Sequence, residues 1–147
     1  MKTRLSATVT LWCVRFIALV MLALLFLIPG LIDWYKDFRE LGPNSPQAIL
    51  IGFYCCAPLV FYALWCVDRL TANILKDEVF IHANVRYIRR IRWCCAGVSL
   101  VCLPAAWFYP PLIFLAVIMA FLAVVVSVVK NVLAAAVELR EENDLTI

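Results

Sequence analysis

The chain has 147 residues, of which 66% are hydrophobic and 16% are charged, and its mean hydropathy is +0.97. Soluble domains are typically about 45–50% apolar, so this composition excludes a soluble globular protein and indicates a membrane protein. The formal charge of +3 is small, and we therefore expect the placement of the charges to matter more than their sum.

The first apolar run follows a basic N-terminus, MKTR, and predicts a membrane span at about 11–32. A bilayer core of about 30 Å needs roughly 20 apolar residues in a helix. A cleaved secretory signal is the alternative, but the run is long for one and its far end, IPGLIDWYKD, offers no small-residue cleavage site. We expect the run to be retained as the first span.

Three further apolar runs follow, separated by short polar loops and by turn signatures such as Gly42-Pro43-Asn44 and Pro110-Pro111. They predict spans at about 46–67, 93–109 and 112–137. The runs are continuously apolar and lack the alternation of a membrane β-barrel. The predicted fold is therefore all-α, a single transmembrane domain (1–147) built as a four-helix bundle.

A polar hinge at 68–92 divides spans two and three and carries six of the 13 Lys and Arg residues, together with the single histidine, His82. At helical spacing, one face collects basic residues and another collects aliphatic ones: Arg86, Arg89 and Arg90 against Val85, Ile88 and Ile91. We predict a short amphipathic surface helix here. It could lie on anionic lipid or bind a cytosolic protein, whereas the lack of a groove-reading motif disfavours direct nucleic acid binding.

Basic residues also predict the orientation, because Lys and Arg near span ends resist translocation. The N-terminus, the hinge and the end of the fourth span are basic, whereas the loop at 33–45 has two basic residues and the loop after Tyr109 has none. Both termini and the hinge, with the tail at 138–147, are thus predicted to be cytoplasmic. Trp and Tyr at the predicted span edges agree.

Helices associate in lipid where small side chains allow close backbone approach. Spans two and four carry such residues at spacings of three and four, which predicts the helix-packing faces: Ala48, Gly52 and Cys56, then Ala116, Ala120, Ala123 and Ser127. Alanine as simple apolar filler remains the alternative, and these stripes are compatible with a homo-oligomer.

The chain shows no nucleophile with a base and no phosphate-binding loop, so we expect no enzymatic activity, no cofactor and no metal site at His82. Seven cysteines lie in or beside the spans, where cysteine packs well as a small apolar residue. Four of them fall near one predicted membrane edge and leave a soft-metal or redox cluster open: Cys13, Cys66, Cys94 and Cys95.

Two segments, the hinge and the terminal sequence ELREENDLTI, together resemble the bacterial membrane family called domain of unknown function 2975. The resemblance implies a multi-pass protein of the inner membrane with no established activity. Asp77 stands where the family commonly has glycine. Ile81-His82-Ala83 replace a helix-starting threonine and the acids after it, which leaves Asn84 as the expected N-cap.

Family members are often encoded beside small helix-turn-helix regulators, which implies that the hinge and tail hold such a regulator at the membrane. We therefore expect a regulatory or anchoring protein, with the bilayer and a cytosolic regulatory protein as partners. The expected partner-binding residues are Phe80, Arg86, Arg89, Arg90, Glu142, Asp144, Leu145 and Ile147. A small oligomeric transporter or channel is the alternative, and the basic hinge could instead pair with the acidic tail.

Overall fold

The computed structural model describes residues 2–38, 40 and 42–146. In these ranges the chain forms four long α-helices and no strand: α1 (Lys2–Phe38), α2 (Ser45–Leu75), α3 (His82–Phe108) and α4 (Leu112–Leu145). The prediction of an all-α, four-helix chain is confirmed.

All four helices are long and apolar enough to cross a membrane. The shortest, α3, has 27 residues, and the best windows of α1 to α4 have mean hydropathies of 2.7, 2.0, 1.5 and 3.2. At 1.5 Å per residue, about 20 residues cross the hydrocarbon core. The ends of every helix therefore project beyond it.

The helices pack in chain order, and α3 is the central one. Among the described residues, close backbone approach occurs between α1 and α2, between α2 and α3 and between α3 and α4, and between no other pair of helices. In α3, 28% of the most apolar window is buried, against 6% in both α1 and α4. The packing is thus an open array around α3, whose Val98 and Cys102 form a core with Ala116 of α4.

The predicted separate amphipathic helix in the hinge is wrong. Residues 68–75 extend α2, residues 82–92 are the first three turns of α3, and only 76–81 lie outside a helix. Val85 and Ile88 are 8% and 7% exposed, so the aliphatic face packs inside the protein and does not lie on a surface. Neither proline nor glycine interrupts α3 before Gly97, and the helix runs straight into the third span.

Candidate interaction site at the polar end

One end of the molecule gathers the start of α1, the α2–α3 turn and the end of α4; we call it the polar end. Arg4 Nη2 of α1 lies 2.6 Å from Asp77 Oδ2 in the turn. His82 Nε2, at the start of α3, lies 2.8 Å from Glu141 Oε1 of α4. The first contact joins the start of α1 to the hinge, and the second joins the hinge to the acidic tail through His82 and not through the arginines of the hinge.

The α2–α3 turn begins with a complete Schellman motif. Glu78 N–H donates to the Asn73 carbonyl at 3.0 Å and Asp77 N–H donates to the Ile74 carbonyl at 3.1 Å. Asp77 occupies the left-handed position of the motif, with φ of 62°, where glycine is usual because it has no Cβ to clash. This backbone geometry accounts for the glycine expected here from the family.

Asn84 does not cap α3, so the prediction of Asn84 as N-cap is wrong. The helix starts at His82, and Ile81 is the N-cap in an extended conformation without a side-chain capping bond. The helix begins two residues before Asn84, and Asn84 lies in its first turn, from where its side chain bonds the preceding loop.

Asn84 is instead the residue that ties the turn together. Its side chain is buried, at 1% exposure. Its Nδ2 donates to the carbonyls of Glu78 and Val79 at 2.8 Å each, and its Oδ1 accepts from Asn73 Nδ2 at 2.8 Å. Buried polar groups are costly unless they are paired, so these bonds fix the loop between α2 and α3 in one conformation.

A cleft of about 830 Å³ opens between this turn and the last turns of α4; we call it the polar-end cleft. The Arg140 guanidinium lies 5.9 Å from the centre of the Phe80 ring, a cation–π contact between its two sides. Val137, at 1% exposure, packs α4 against the rest of the chain. The lining residues are Asp77, Val79, Phe80, Ala136, Leu139, Arg140, Glu142, Asn143 and Thr146.

Of the residues predicted to bind a partner, some line the polar-end cleft and others lie outside it. Phe80 and Glu142 line the cleft. The arginines of the hinge are exposed on α3, and none of them lines the cleft; they are Arg86, Arg89 and Arg90. Asp144 and Leu145 are exposed on the tail, and Ile147 lies outside the described residues.

Sequence reasoning did not find Asn73, Asn84, Arg140 or Glu141 as parts of this site. Two of them carried a usable signal, because Asn73 and Asn84 are amides flanking a short polar turn and such groups seek partners when buried. Arg140 and Glu141 are brought to the hinge only by the packing of α4 on α3.

The predicted helix-packing residues lie on partly different surfaces. A Cβ built on Gly52 would lie 3.7 Å from Ala105 Cβ of α3, and Cys56 packs against the α3–α4 core. Ala116 is 1% exposed, and its carbonyl accepts a bond from Ser99 Oγ at 2.8 Å.

Further residues of these stripes are less uniform. Ala48, Ala123 and Ser127 are half-buried, and Ser127 Oγ lies 3.4 Å from Arg92 Nη1. Ala120 is exposed and does not lie on the buried side of α4. Within one chain the predicted stripe on α4 is therefore split.

The cysteines near the polar end differ in burial. Cys66, Cys94 and Cys95 are buried, whereas Cys13 is exposed on α1. Across the part of the chain that the structure describes, no group of three or more His, Cys, Asp or Glu side chains could hold a metal ion.

Four membrane-length helices with most of the charged residues at one end define a multi-pass membrane protein. The family model "Protein of unknown function (DUF2975)" matches residues 32–147, and the chain belongs to that family, which confirms the resemblance of the hinge and the tail. The chain is 26% identical over 139 residues to "Uncharacterized membrane protein YoaS" of Bacillus subtilis (strain 168), covering 84% of this chain and 85% of that protein. No solved structure matches the chain.

Proposed function

We propose that this protein is an anchoring or regulatory protein of the bacterial inner membrane that holds a cytosolic protein in its polar-end cleft. The role is binding and not catalysis. A small helix-turn-helix regulator is the proposed partner, as the family resemblance implies.

The orientation follows from the charges. The polar end carries the basic residues of the N-terminus and of the hinge, whereas the loop at 33–45 has only Lys36 and Arg39. Because Lys and Arg near span ends are retained in the cytoplasm, we place the polar end, and with it both termini, on the cytoplasmic side. The cleft then opens toward cytosolic proteins.

The observation that supports partner binding is the chemistry of the cleft. Phe80 and Leu139 give it apolar surface, while Glu142 and Asn143 add polar groups. Interfaces commonly combine a small apolar centre with a polar rim. A partner that inserts one or two apolar side chains and places a basic residue near Glu142 would fit, and basic residues are common on proteins that bind DNA.

The cleft is also held in shape before any partner arrives. The Asn84 bonds fix the turn on one side, and the contact of His82 with Glu141 joins the start of α3 to the end of α4 on the other. Preorganised surfaces lose less conformational entropy on binding. The exposed arginines of α3 remain predicted contacts that would flank the cleft.

The proposal is tested by photo-crosslinking in the native cell from a reactive amino acid in place of Asn143, with identification of the captured protein by mass spectrometry. Leu139→Ser removes apolar surface from the cleft, and Leu5→Ser, on α1 at the same end of the molecule, is the matched control. Leu139 and Leu5 are 66% and 69% exposed, so neither replacement disturbs the core.

We expect capture of a soluble cytosolic protein that falls about tenfold with Leu139→Ser, equivalent to about 1.4 kcal/mol, and persists with Leu5→Ser. Equal loss in both variants would assign binding to exposed apolar side chains of the polar end in general and not to the cleft. Capture of copies of the same chain alone would refute an anchoring role.

Transport is the weaker candidate. A cavity of about 340 Å³ lies among the four helices, and its lining residues are all apolar or sulfur-containing. An ion or polar solute needs polar groups along its path, so no observation favours a pathway through a single chain.

A further inference from the structure

A second surface of the polar end carries positive charge that the protein itself does not balance. Helix α3 has four arginines and no acidic residue, and the only acid of α2 is Asp68. Asp68 Oδ1 already lies 3.2 Å from Arg15 Nε of α1. Within the described residues, neither Arg69 of α2 nor any arginine of α3 has a carboxylate partner.

Two of these arginines are held beside one cluster of aromatic rings. The Trp65 ring stacks on Tyr62 at 5.9 Å between centroids and meets Tyr87 of α3 edge-on at 6.0 Å. The Arg69 guanidinium lies 5.6 Å from the centre of Trp65, and that of Arg90 lies 5.9 Å from the centre of Tyr87. Two cations from two helices thus share one aromatic platform.

This arrangement suits a phosphate group. A guanidinium over a ring is attracted through its face, while its five N–H donors lie in its plane and remain available. Planar guanidinium groups bind phosphate oxygens in pairs of hydrogen bonds. The arginines therefore offer donors to an anion, and the rings limit where the guanidinium groups can move.

The surroundings favour a lipid headgroup as the source of such a phosphate. Trp and Tyr prefer the level of the headgroups, and Trp65 and Tyr62 lie in the last turns of α2 before the polar hinge. Trp65 also lines a mainly apolar groove of about 300 Å³ between α1 and α2, which continues along Ala18, Phe61 and Leu64. The ion pair of Arg15 with Asp68 also lines this groove. A groove of this kind, leading away from the cationic cluster, accommodates an acyl chain.

We propose that Arg69 and Arg90, with the rings of Trp65 and Tyr87, bind the phosphate of an anionic phospholipid, one acyl chain of which lies along the groove between α1 and α2. This site is separate from the polar-end cleft, and it does not depend on the partner proposed there.

The test uses the full chain in neutral detergent, with bound lipid counted by native mass spectrometry. The probes are phosphatidylglycerol and phosphatidylcholine with the same acyl chains. The test variant is Arg69→Gln with Arg90→Gln, and the control, Arg86→Gln with Arg89→Gln, removes the same charge from exposed residues of α3 that have no ring contact in the structure.

We expect the unaltered protein to bind phosphatidylglycerol in preference to phosphatidylcholine. One basic residue at an anionic surface strengthens binding about fivefold, so the test variant should bind about 30-fold more weakly. The control variant should keep the preference. Equal loss in both variants would overturn the site in favour of general surface charge, and so would a lack of preference in the unaltered protein.

Two further arms separate the remaining explanations. Inorganic phosphate at millimolar concentration should not displace the lipid, and full displacement would show a site for free phosphate instead. If the glutamine variant does not fold, Arg69→Lys with Arg90→Lys decides, because lysine keeps the charge but loses the planar donor geometry. Binding equal to that of the unaltered protein would then refute the proposal.

Discussion

Asp77 provides the sharpest test of the α2–α3 turn, because its backbone is left-handed, with φ of 62°. A left-handed conformation costs a residue with a Cβ roughly 1–2 kcal/mol, and aspartate lies at the low end because its short side chain bonds locally. Glycine adopts this conformation without that cost. Asp77→Gly should therefore stabilise the fold even though it removes a side chain that makes an ion pair.

The ion pair sets the size of the net effect. The side chains of Arg4 and Asp77 are 66% and 72% exposed, and exposed pairs contribute about 0.2–1 kcal/mol. We expect a net gain of about 0.5 kcal/mol for Asp77→Gly in the unaltered chain. In an Arg4→Gln background, where the pair is already lost, the gain should approach about 1 kcal/mol, or roughly 2–4 °C in Tm.

Thermal unfolding in detergent, followed by tryptophan fluorescence, measures the change. Asp77→Ala is the matched control, because it also removes the carboxylate but keeps the Cβ, and it should lower Tm. If the glycine and alanine variants shift Tm equally in the Arg4→Gln background, the backbone conformation is not the cause and the reasoning fails.

Three other predictions concern the turn, the packing and the orientation. Asn84→Ala should lower stability by about 2–3 kcal/mol, because it leaves buried groups unpaired; unfolding in SDS measures this, and an unchanged transition would contradict it. Gly97→Val should lower Tm, since a Cβ there lies 3.1 Å from Leu59 Cδ1, whereas Gly30→Val, with nothing within 4 Å, should not; equal shifts would argue against close α2–α3 packing. A fluorescent protein fused to the C-terminus should fluoresce and alkaline phosphatase fused there should be inactive; the opposite pattern would reverse the orientation.

The number and type of the helices could be predicted because bilayer thickness sets the length of an apolar run. The same reasoning failed at the hinge, since polarity shows that a segment leaves the hydrocarbon core but not that its helix stops there. The arginines of α3 show where the helix leaves the hydrocarbon core, but the helix itself is continuous across Trp93. Helix boundaries depend on capping and on interruptions of the helix. Between the start of α2 and the end of α3, the six-residue turn at 76–81 is the only interruption.

The candidate site was predicted only in part. Phe80 and Glu142 were both predicted to bind a partner. That they line the same cleft depends on how far α4 extends along α3. The role predicted for Asn84 was wrong, because an asparagine side chain can equally cap a helix or hold a buried loop. The bonds that separate these roles go to the carbonyls of Glu78 and Val79, which precede the helix.

The close backbone packing of each helix against its neighbours in the chain bears on how the protein assembles in a cell. In the part of the chain that the structure describes, this close packing joins α1 to α2, α2 to α3 and α3 to α4. During synthesis, every segment that enters the bilayer meets its packing surface on the segment delivered just before it. The protein can therefore mature stepwise from its N-terminus, with no need to hold early segments apart until the last one arrives.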